Sequence, residues 1–314
     1  MSLLYQRAVL IYNPAAGRRQ ARRQLEVERA VAVLEPVVGS IEAASTVGPG
    51  SATLLAGEAR QKGADLVLAC GGDGTVNEVV NGLAESAVPL AVLPAGTANV
   101  LALEIGIPVD VVAAARLLPA LAPRRVSLGR VCFEGGSKSG RLFLLMSGIG
   151  LDAHIVYTLN TRLKSYLGIL AYWASSLAQL GRRLETFQVT VEERRFRCTF
   201  ALASRSRLYG GRLPIAQKAH LLAEDLEVVL FHTRSARRYP IYLGGVATGT
   251  LSRFSDVTFL QTGRLEMKPE PGLPVRVEVD GEYAGCLPAT VGVLPHALTL
   301  LMPPGYIEQH SRRG

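Results

Sequence analysis

Apolar runs and helical patterns alternate along the first 120 or so residues of the chain. Residues 8–12, 65–70 and 90–93 are short and almost wholly apolar, which is the pattern of buried strands. Strands that alternate with helices predict a parallel sheet covered on both faces, and therefore an α/β domain. The predicted helices cover residues 18–35 and 53–62, and two more begin near Thr75 and Thr97.

The pattern changes after Pro123. Short runs rich in β-branched and aromatic residues are now separated by Gly, Pro and Arg clusters, which is typical of a predominantly β domain. One helical pattern interrupts them between Thr161 and Leu184. We place the domain boundary near Ser127. The predicted strands of the second domain include residues 142–146, 187–192, 196–202, 226–231, 257–260 and 275–279.

Composition agrees with two globular domains. The chain has 314 residues, of which 48% are hydrophobic and 19% charged, so it is neither disordered nor fibrous. Its net charge of +8 favours anionic partners such as nucleotides, phosphates or acidic membrane surfaces, although an arginine-rich composition alone is the alternative. Aromatic residues make up only 6% and do not alternate with the arginines, so we expect no nucleic-acid partner.

Cysteine spacing and hydropathy indicate the compartment. Four widely spaced cysteines, without a C-x-x-C pair, predict neither a zinc site nor a disulfide framework, and a reducing cytoplasm fits them best. The amino terminus does not have the pattern of a secretory signal. The most apolar segment, residues 166–180, is shorter than the roughly 20 residues that a transmembrane helix needs. We expect no transmembrane helix.

The most informative motif is C-G-G-D-G-T-V-N-E at residues 70–78, where a strand enters a glycine turn and then a helix. Backbone N–H groups at such a turn, with the helix dipole behind them, can bind phosphate. Asp73 would approach phosphate favourably only through a divalent cation, which implies Mg²⁺. Thr75 and Glu78 form a predicted capping box. The spacing matches neither the Rossmann nor the P-loop motif, and an ordinary strand–helix turn is the alternative.

Two further turns have a similar composition. L-P-A-G-T-A-N at residues 93–99 again places glycine and hydroxyl groups at a helix start, and N-P-A-A-G at residues 13–17 follows the first strand. Turns at the carboxyl edge of one sheet form a crevice. Four arginines follow the first turn at a helix start, where they oppose the helix dipole unless an anion lies nearby; the alternative is a solvated basic face. They are Arg18, Arg19, Arg22 and Arg23.

Together these motifs resemble the catalytic domain shared by diacylglycerol kinases, sphingosine kinases and bacterial lipid kinases. Residues 148–153, 209–211 and 279–282 resemble later signatures of that family in the same order. The resemblance implies a phosphofructokinase-like α/β nucleotide-binding domain over residues 1–127, joined by a returning segment at about 296–314, and a β-sandwich lipid-substrate domain over 128–295, with the active site between them. It implies ATP contacts from Asn13, Gly17, Thr46, Gly71, Gly72, Asp73, Gly74, Thr75, Asn77, Glu78, Gly96, Thr97 and Asn99.

The catalytic and metal-binding roles follow from the same resemblance. Asp280-Gly281 after alternating valines is, by itself, a hairpin turn. Family members place this D-G-E beside the terminal phosphate, so Asp280 or Glu282 is the predicted base, with both on one face if both lie on a strand. Bacterial relatives often bind a structural Mg²⁺ at an Asp-Gly pair before a strand. This chain lacks the glycine there, which leaves Asp225 as the candidate second metal ligand beside Asp73.

The predicted function is an ATP-dependent, Mg²⁺-requiring lipid kinase that phosphorylates a hydroxyl of a membrane lipid such as diacylglycerol. An apolar helix near residues 164–173, flanked by Arg182 and Arg183, is interpreted either as core or as a wall for the acyl chain. We expect a cytoplasmic enzyme in peripheral contact with anionic membranes, and nothing in the sequence indicates an oligomeric state. The alternatives are a nicotinamide-dinucleotide kinase and a catalytically silent lipid-binding or regulatory protein.

Overall fold

The computed structural model describes residues 3–17, 20–136, 140–150, 184–272 and 274–311. The chain forms two compact units, one of Met1–Leu128 with Pro295–Gly314 and the other of Gly129–Leu294. The apolar helix predicted between Thr161 and Leu184 lies almost wholly outside the described residues, as do Arg18, Arg19 and residues 151–153. No helix in the described part of the chain is both long enough and apolar enough to span a bilayer.

The first unit contains alternating strands and helices. Its strands are β1 (Tyr5–Tyr12), β2 (Val38–Ser45), β3 (Leu66–Gly71) and β4 (Pro89–Pro94), and the chain leaves the unit within β5 (Ala122–Phe133). Its helices are α1 (Arg23–Leu34), α2 (Ser51–Gln61), α3 (Asp73–Leu83), α4 (Val100–Ile105) and α5 (Val111–Leu117). Short 3-10 turns cover Gln20–Arg22 and Leu118–Ala120.

A parallel sheet with the order β2-β1-β3-β4 forms the centre of this unit. A fifth strand comes from the end of the chain, because residues 299 and 300 of β18 (Ala289–Met302) pair in parallel with β4. The last helix, α7 (Pro304–Ser311), follows it. Leu10, Leu68 and Leu90 are fully buried, which matches the apolar runs of the sequence. The carboxyl ends of the first four strands all lie at one edge of the sheet.

The second unit is predominantly antiparallel. Its strands are β6 (Arg141–Phe143), β7 (Met146–Gly150), β8 (Phe187–Val191), β9 (Arg194–Cys198), β10 (Phe200–Ser204), β11 (Leu208–Tyr209), β12 (Leu213–Pro214), β13 (Leu226–Phe231), β14 (Val257–Thr262), β15 (Arg264–Pro269), β16 (Arg276–Val279) and β17 (Glu282–Cys286). The helix α6 spans Tyr239–Ala247, between 3-10 turns at Ala236–Arg238 and Leu251–Arg253.

Two sheets of this unit share one core. One sheet has the order β14-β13-β10-β7-β16-β17, and the other contains β8, β9, β15 and the first part of β18. Phe187 and Met267 from the second sheet pack in the same buried cluster as Val228 and Val277 from the first. Side chains from two inner faces that fill one core define a β sandwich. The prediction of an α/β domain followed by a β sandwich is therefore confirmed.

The sequence pattern missed several elements for physical reasons. Strand β2 is largely exposed at the edge of its sheet, so it lacks the apolar run that marked its neighbours. The run predicted over residues 196–202 is two strands, β9 and β10, which belong to different sheets. Helix α6 consists of apolar residues and glycines with no polar face, so no helical period distinguishes it from a strand.

Candidate active site

The first turn, at residues 13–17, follows β1 and is tied to β3 and α3. The backbone N–H of Asn13 donates to the carbonyl of Cys70 at 3.0 Å, and its Nδ2 donates to Oγ1 of Thr75 at 3.3 Å. Gly17 has a φ of +64°, and a Cβ there would lie 2.4 Å from the carbonyl oxygen of Ala95. Only glycine fits at Gly17, because the first turn passes directly against the turn that follows β4.

The second and third turns also pack against each other through glycines. A Cβ on Gly96 would lie 2.4 Å from the Cα of Gly72 and 2.9 Å from Oδ1 of Asn99. Asn99 closes the third turn, because its Oδ1 accepts from Gly96 N at 2.8 Å while its Nδ2 donates to Gly96 O at 3.0 Å. Asn99 has a φ of +49°, so α4 begins at Val100 and not at Thr97, which is exposed.

Arg23 joins the first turn to the third. Its guanidinium is buried and donates through Nη2 to the carbonyls of Ala16 at 3.0 Å and Ala95 at 2.9 Å. Its Nη1 pairs with the carboxylate of Glu26 at 2.6 Å. The basic cluster was predicted either to face a bound anion or to be solvated. Arg23 is not solvated, and its charge is already satisfied inside the unit by Glu26 and two backbone carbonyls. Arg22 is exposed.

Asp73 is the first residue of α3 and reaches the start of α4. Its Oδ1 accepts from the backbone N–H of Leu101 at 3.3 Å. Burial raises the pKa of this carboxyl above its usual range, while backbone hydrogen bonds from Val100 and Leu101 act in the opposite direction. Asp73 therefore also connects the second turn to the third, a contact that no local feature of the sequence indicates. A carboxylate that has lost part of its hydration is a suitable oxygen ligand for a hard cation such as Mg²⁺.

The predicted capping box is wrong. Helix α3 begins two residues before Thr75, and no side chain of the described chain caps it. The carboxylate of Glu78 instead accepts from the backbone N–H groups of Gly50 at 2.8 Å and Ala52 at 3.0 Å, at the start of α2. Glu78 therefore stabilises the amino terminus of the neighbouring helix, which is a long-range contact that sequence spacing does not reveal.

The residues predicted to contact ATP divide into those next to a strand end at this edge of the sheet and those further along α3, which are Asn77 and Glu78. Thr46 follows β2 and donates its backbone N–H to the carbonyl of Tyr12 at 2.9 Å, so it lies beside the first turn. Asn77 is buried one turn into α3, where its carbonyl and Oδ1 accept from Asn81 at 2.8 and 3.2 Å. Those that follow a strand end at this edge are Asn13, Gly17, Thr46, Gly71, Gly72, Asp73, Gly74, Thr75, Gly96, Thr97 and Asn99.

In the second unit, Asp280 lies in the tight turn between β16 and β17. Asp280 and Gly281 have φ values of +47° and +82°, the combination of a type I′ hairpin, so the hairpin interpretation is correct. Asp280 is 9% exposed, and its carboxylate accepts three backbone N–H groups, from Leu144 and Leu145 at 3.0 Å each and from Met146 at 2.8 Å. Its position is therefore rigid.

Glu282 has a different environment. It begins β17, its side chain is 48% exposed, and it lies 3.5 Å from the guanidinium of Arg141. Because Asp280 is in the turn, the condition for the two carboxylates to share a strand face is not met. A third carboxylate, Glu278, is buried and accepts the N–H of Gly281 at 2.6 Å. Glu278 supports the turn from β16, a role that no sequence motif indicates.

The metal-binding prediction at Asp225 stays a prediction. Asp225 directly precedes β13, and its backbone carbonyl accepts from the guanidinium of Arg205 at 3.2 Å. Over the described ranges, no group of three or more His, Cys, Asp or Glu side chains is arranged to hold a metal ion. The guanidinium of Arg205 also donates to the backbone carbonyls of Leu221 and Ala223 in this loop.

Comparison with known proteins agrees with this arrangement of glycine turns and sandwich. Residues 7–131 match the family model for the diacylglycerol kinase catalytic domain, and residues 146–302 match that for the YegS C-terminal NAD kinase beta sandwich-like domain. The fold and these matches define a lipid kinase. The chain belongs to the diacylglycerol kinase family.

Individual relatives show how far the similarity extends. A diacylglycerol kinase of Bacillus subtilis (strain 168) is 28% identical over 311 residues, which covers 96% of this chain and 98% of that protein. One from Staphylococcus aureus (strain bovine RF122 / ET3-1) is 34% identical over 176 residues, or 55% and 53% of the two chains. A crystal structure of a diacylglycerol kinase from Bacillus anthracis str. Sterne has a TM-score of 0.77 at 22% identity, covering 96% and 99%. This last similarity concerns the fold.

Proposed function

We propose that the protein transfers the γ-phosphoryl group of ATP to a hydroxyl of a membrane lipid such as diacylglycerol. The observation that carries this proposal is the cross-linking of three glycine turns at one sheet edge, through Arg23, Asp73 and the contact between Gly72 and Gly96. Residues 1–127 with 296–314 would bind the nucleotide, and residues 128–295 would bind the lipid. A site fixed before substrate arrives loses little entropy on binding.

Backbone groups of the turns would bind the phosphates. The amino terminus of α3 presents N–H groups and the positive end of the helix dipole, with no capping side chain from the described residues. Asp73 would hold Mg²⁺, directly or through water, and when bound the ion would neutralise charge on the transferred phosphoryl group. The fit rests on the desolvation of the Asp73 carboxylate, which a cation nearby would offset.

The D-G-E turn would supply the base. The lipid hydroxyl gives its proton to the carboxylate of Asp280 or Glu282, and its oxygen forms a bond to the γ-phosphorus. The bond from that phosphorus to the bridging oxygen breaks, and ADP leaves with the electron pair. The rigid position of Asp280 suits a group that must be oriented, whereas the exposure of Glu282 suits one that exchanges protons with water.

The function is tested with radiolabelled ATP, Mg²⁺ and a total lipid extract, followed by mass identification of the product. A labelled phospholipid is the expected result. A parallel reaction with nicotinamide dinucleotide tests the alternative kinase, and label in that product without label in any lipid would contradict the proposal. Label in neither product would favour the catalytically silent alternative.

The Asp73→Asn variant tests the nucleotide site. With wild-type protein, ATP and Mg²⁺ should raise the Tm by mass action, and EDTA should reduce that shift. In the variant we expect the magnesium dependence of the shift to disappear. Because burial raises the pKa of Asp73, folded protein loses stability as the pH rises from the ordinary aspartate pKa through the raised one. Asparagine does not ionise, so the unliganded variant should melt no lower than wild type at pH 7.

Differential scanning fluorimetry measures both quantities. Glu58→Gln provides a matched control, since Glu58 loses the same charge on an exposed position of α2, paired with Lys62 at 3.3 Å. It should keep the wild-type response to ATP and Mg²⁺. The absence of any wild-type shift at saturating ATP, or a full magnesium response in Asp73→Asn, would count against the site.

Helix α6 supports a peripheral contact with an anionic membrane. Its nine residues carry no charge. Tyr242 and Val246 are buried, whereas Ile241 on the opposite side is 53% exposed, and Arg234 and Arg237 are exposed just before the helix. An exposed apolar face next to basic side chains is the composition of a membrane-surface helix. We infer that this face contacts the bilayer from which the lipid substrate is taken.

Vesicle sedimentation tests this contact. Wild-type protein should pellet with anionic vesicles, less as salt is raised, and hardly at all with neutral ones. Ile241→Asp should weaken binding by about tenfold, because a charge replaces an exposed apolar side chain that would enter the bilayer. Val109→Asp is the matched control, since Val109 is 56% exposed in the other unit. Equal binding to both vesicle types, or none to either while a water-soluble alcohol is phosphorylated efficiently, would contradict the membrane contact.

A further inference from the structure

A buried arginine lies at the centre of an irregular loop in the second unit. Arg205 follows β10 and has no exposed surface. Its Nη2 donates to the backbone carbonyls of Leu221 at 2.9 Å and Ala223 at 2.8 Å, and its Nη1 donates to that of Asp225 at 3.2 Å. A buried guanidinium is stable only when its N–H groups are satisfied, so these three carbonyls are part of what keeps the charge inside.

The same loop is held from its other side by a buried acid. Glu227 on β13 accepts the backbone N–H groups of Lys218 at 2.6 Å and Ala219 at 2.8 Å. At one end of residues 218–225, backbone N–H groups donate to the Glu227 carboxylate. At the other end, backbone carbonyls accept from the Arg205 guanidinium. These oppositely charged side chains replace the ladder hydrogen bonds that irregular backbone lacks.

Carbonyl oxygens that converge on one positive charge are also the ligands of a hard metal ion. In this loop the Arg205 guanidinium already supplies that positive charge. A divalent cation at the same carbonyls would have to displace the guanidinium or lie against it, and like charges at contact distance in a buried site repel strongly. Residues 222–227 of this chain also lack the Asp-Gly pair that the family resemblance led us to expect at a structural Mg²⁺ site.

We propose that Arg205 is the permanent cation of the 218–225 loop, in place of the structural Mg²⁺ that the family resemblance implied there. The second unit then requires no divalent metal for its stability. This proposal concerns the folding of the second unit and does not depend on the kinase proposal, whose Mg²⁺ lies in the first unit with ATP.

The metal requirement is measured on the full chain without nucleotide. After dialysis against EDTA, we expect elemental analysis to find far less than one Mg²⁺ or Ca²⁺ per chain, and millimolar Mg²⁺ to leave the Tm unchanged. The Asp73→Asn variant is measured in parallel to separate the two units. An EDTA effect confined to wild type belongs to the nucleotide site and is consistent with the proposal, whereas one that persists in Asp73→Asn and is lost in Asp225→Asn would overturn it.

Substitution of the arginine supplies the second measurement. Arg205→Met should lower the Tm by at least about 5 °C, because three buried carbonyls lose their donor. Arg195→Met removes the same charge from an exposed position of β9 and should leave the Tm near wild type. Should Arg205→Met fail to fold, Arg205→Lys provides the measurement. Lysine keeps the charge with fewer N–H donors, so this variant should fold and melt below wild type. A wild-type Tm in Arg205→Met would refute the role of the guanidinium. So would a lowered Tm in Arg205→Lys that added Mg²⁺ restores to the wild-type value.

Discussion

Removing the carboxylate that is proposed to accept the lipid proton is expected to lower kcat by about 10² to 10⁴ while ATP still raises the Tm. Asp280→Asn and Glu282→Gln are the two variants to compare. Their stabilities should differ, because both oxygens of Asp280 accept buried N–H groups and an amide nitrogen cannot, whereas Glu282 is largely exposed. Asp280→Asn should therefore melt below wild type, whereas Glu282→Gln should have the same Tm as wild type.

Turnover at saturating ATP, measured together with the Tm, identifies the base. A large loss in Glu282→Gln at unchanged Tm would assign proton transfer to Glu282. Glu278→Gln is the control for Asp280, since Glu278 supports the same turn through the N–H of Gly281. If Glu278→Gln costs as much kcat as Asp280→Asn, the loss reflects turn geometry. Near wild-type turnover in both Asp280→Asn and Glu282→Gln would remove the D-G-E turn from the chemistry.

Gly96→Ala is expected to lower kcat/KM by about 10² or more and to abolish the ATP-induced rise in Tm. The added Cβ would lie 2.4 Å from the Cα of Gly72. The obstructing atom belongs to the backbone, so two of the glycine turns must move apart for the methyl group to fit. A displacement of this kind changes the positions of the N–H groups that are proposed to bind phosphate.

Gly57→Ala is the matched control for this change. A Cβ on Gly57, in the middle of α2, meets nothing within 4 Å. Alanine in a helix interior is more stable than glycine by roughly 0.5 to 1 kcal/mol, so this variant should melt slightly higher than wild type and keep full activity. The two substitutions add the same methyl group and are expected to act in opposite directions. An unchanged ATP response in Gly96→Ala would show that the turns do not form the nucleotide site.

The strand ends of the α/β unit could be predicted from the sequence because they are encoded locally. Residues 66–70 of the predicted run 65–70 are fully buried in the structure, and apolar runs of this length followed by glycine have few other interpretations. Since parallel strands place their carboxyl ends together, the three glycine turns could be brought to one edge before any coordinates were known.

The connections between the turns could not be predicted, because they depend on residues far apart in the sequence. Arg23 was interpreted from its helix position and net charge, yet its Nη2 binds a carbonyl 72 residues away. Glu78 was assigned to its own helix by spacing, but its carboxylate reaches the helix before it. Neither contact has a local signature, so only the tertiary structure could show how the site is held.

The last strand of the first unit has a consequence for how the protein is made. Residues 299 and 300 of β18 cover β4, but they leave the ribosome only after all of Gly129–Leu294 has been synthesised. During that interval β4 has no partner on one side, and its unpaired N–H and C=O groups are open to other chains. The nascent amino-terminal half should therefore depend on chaperones until β18 has been synthesised, and a ribosome that stalls in the second unit would release an aggregation-prone fragment.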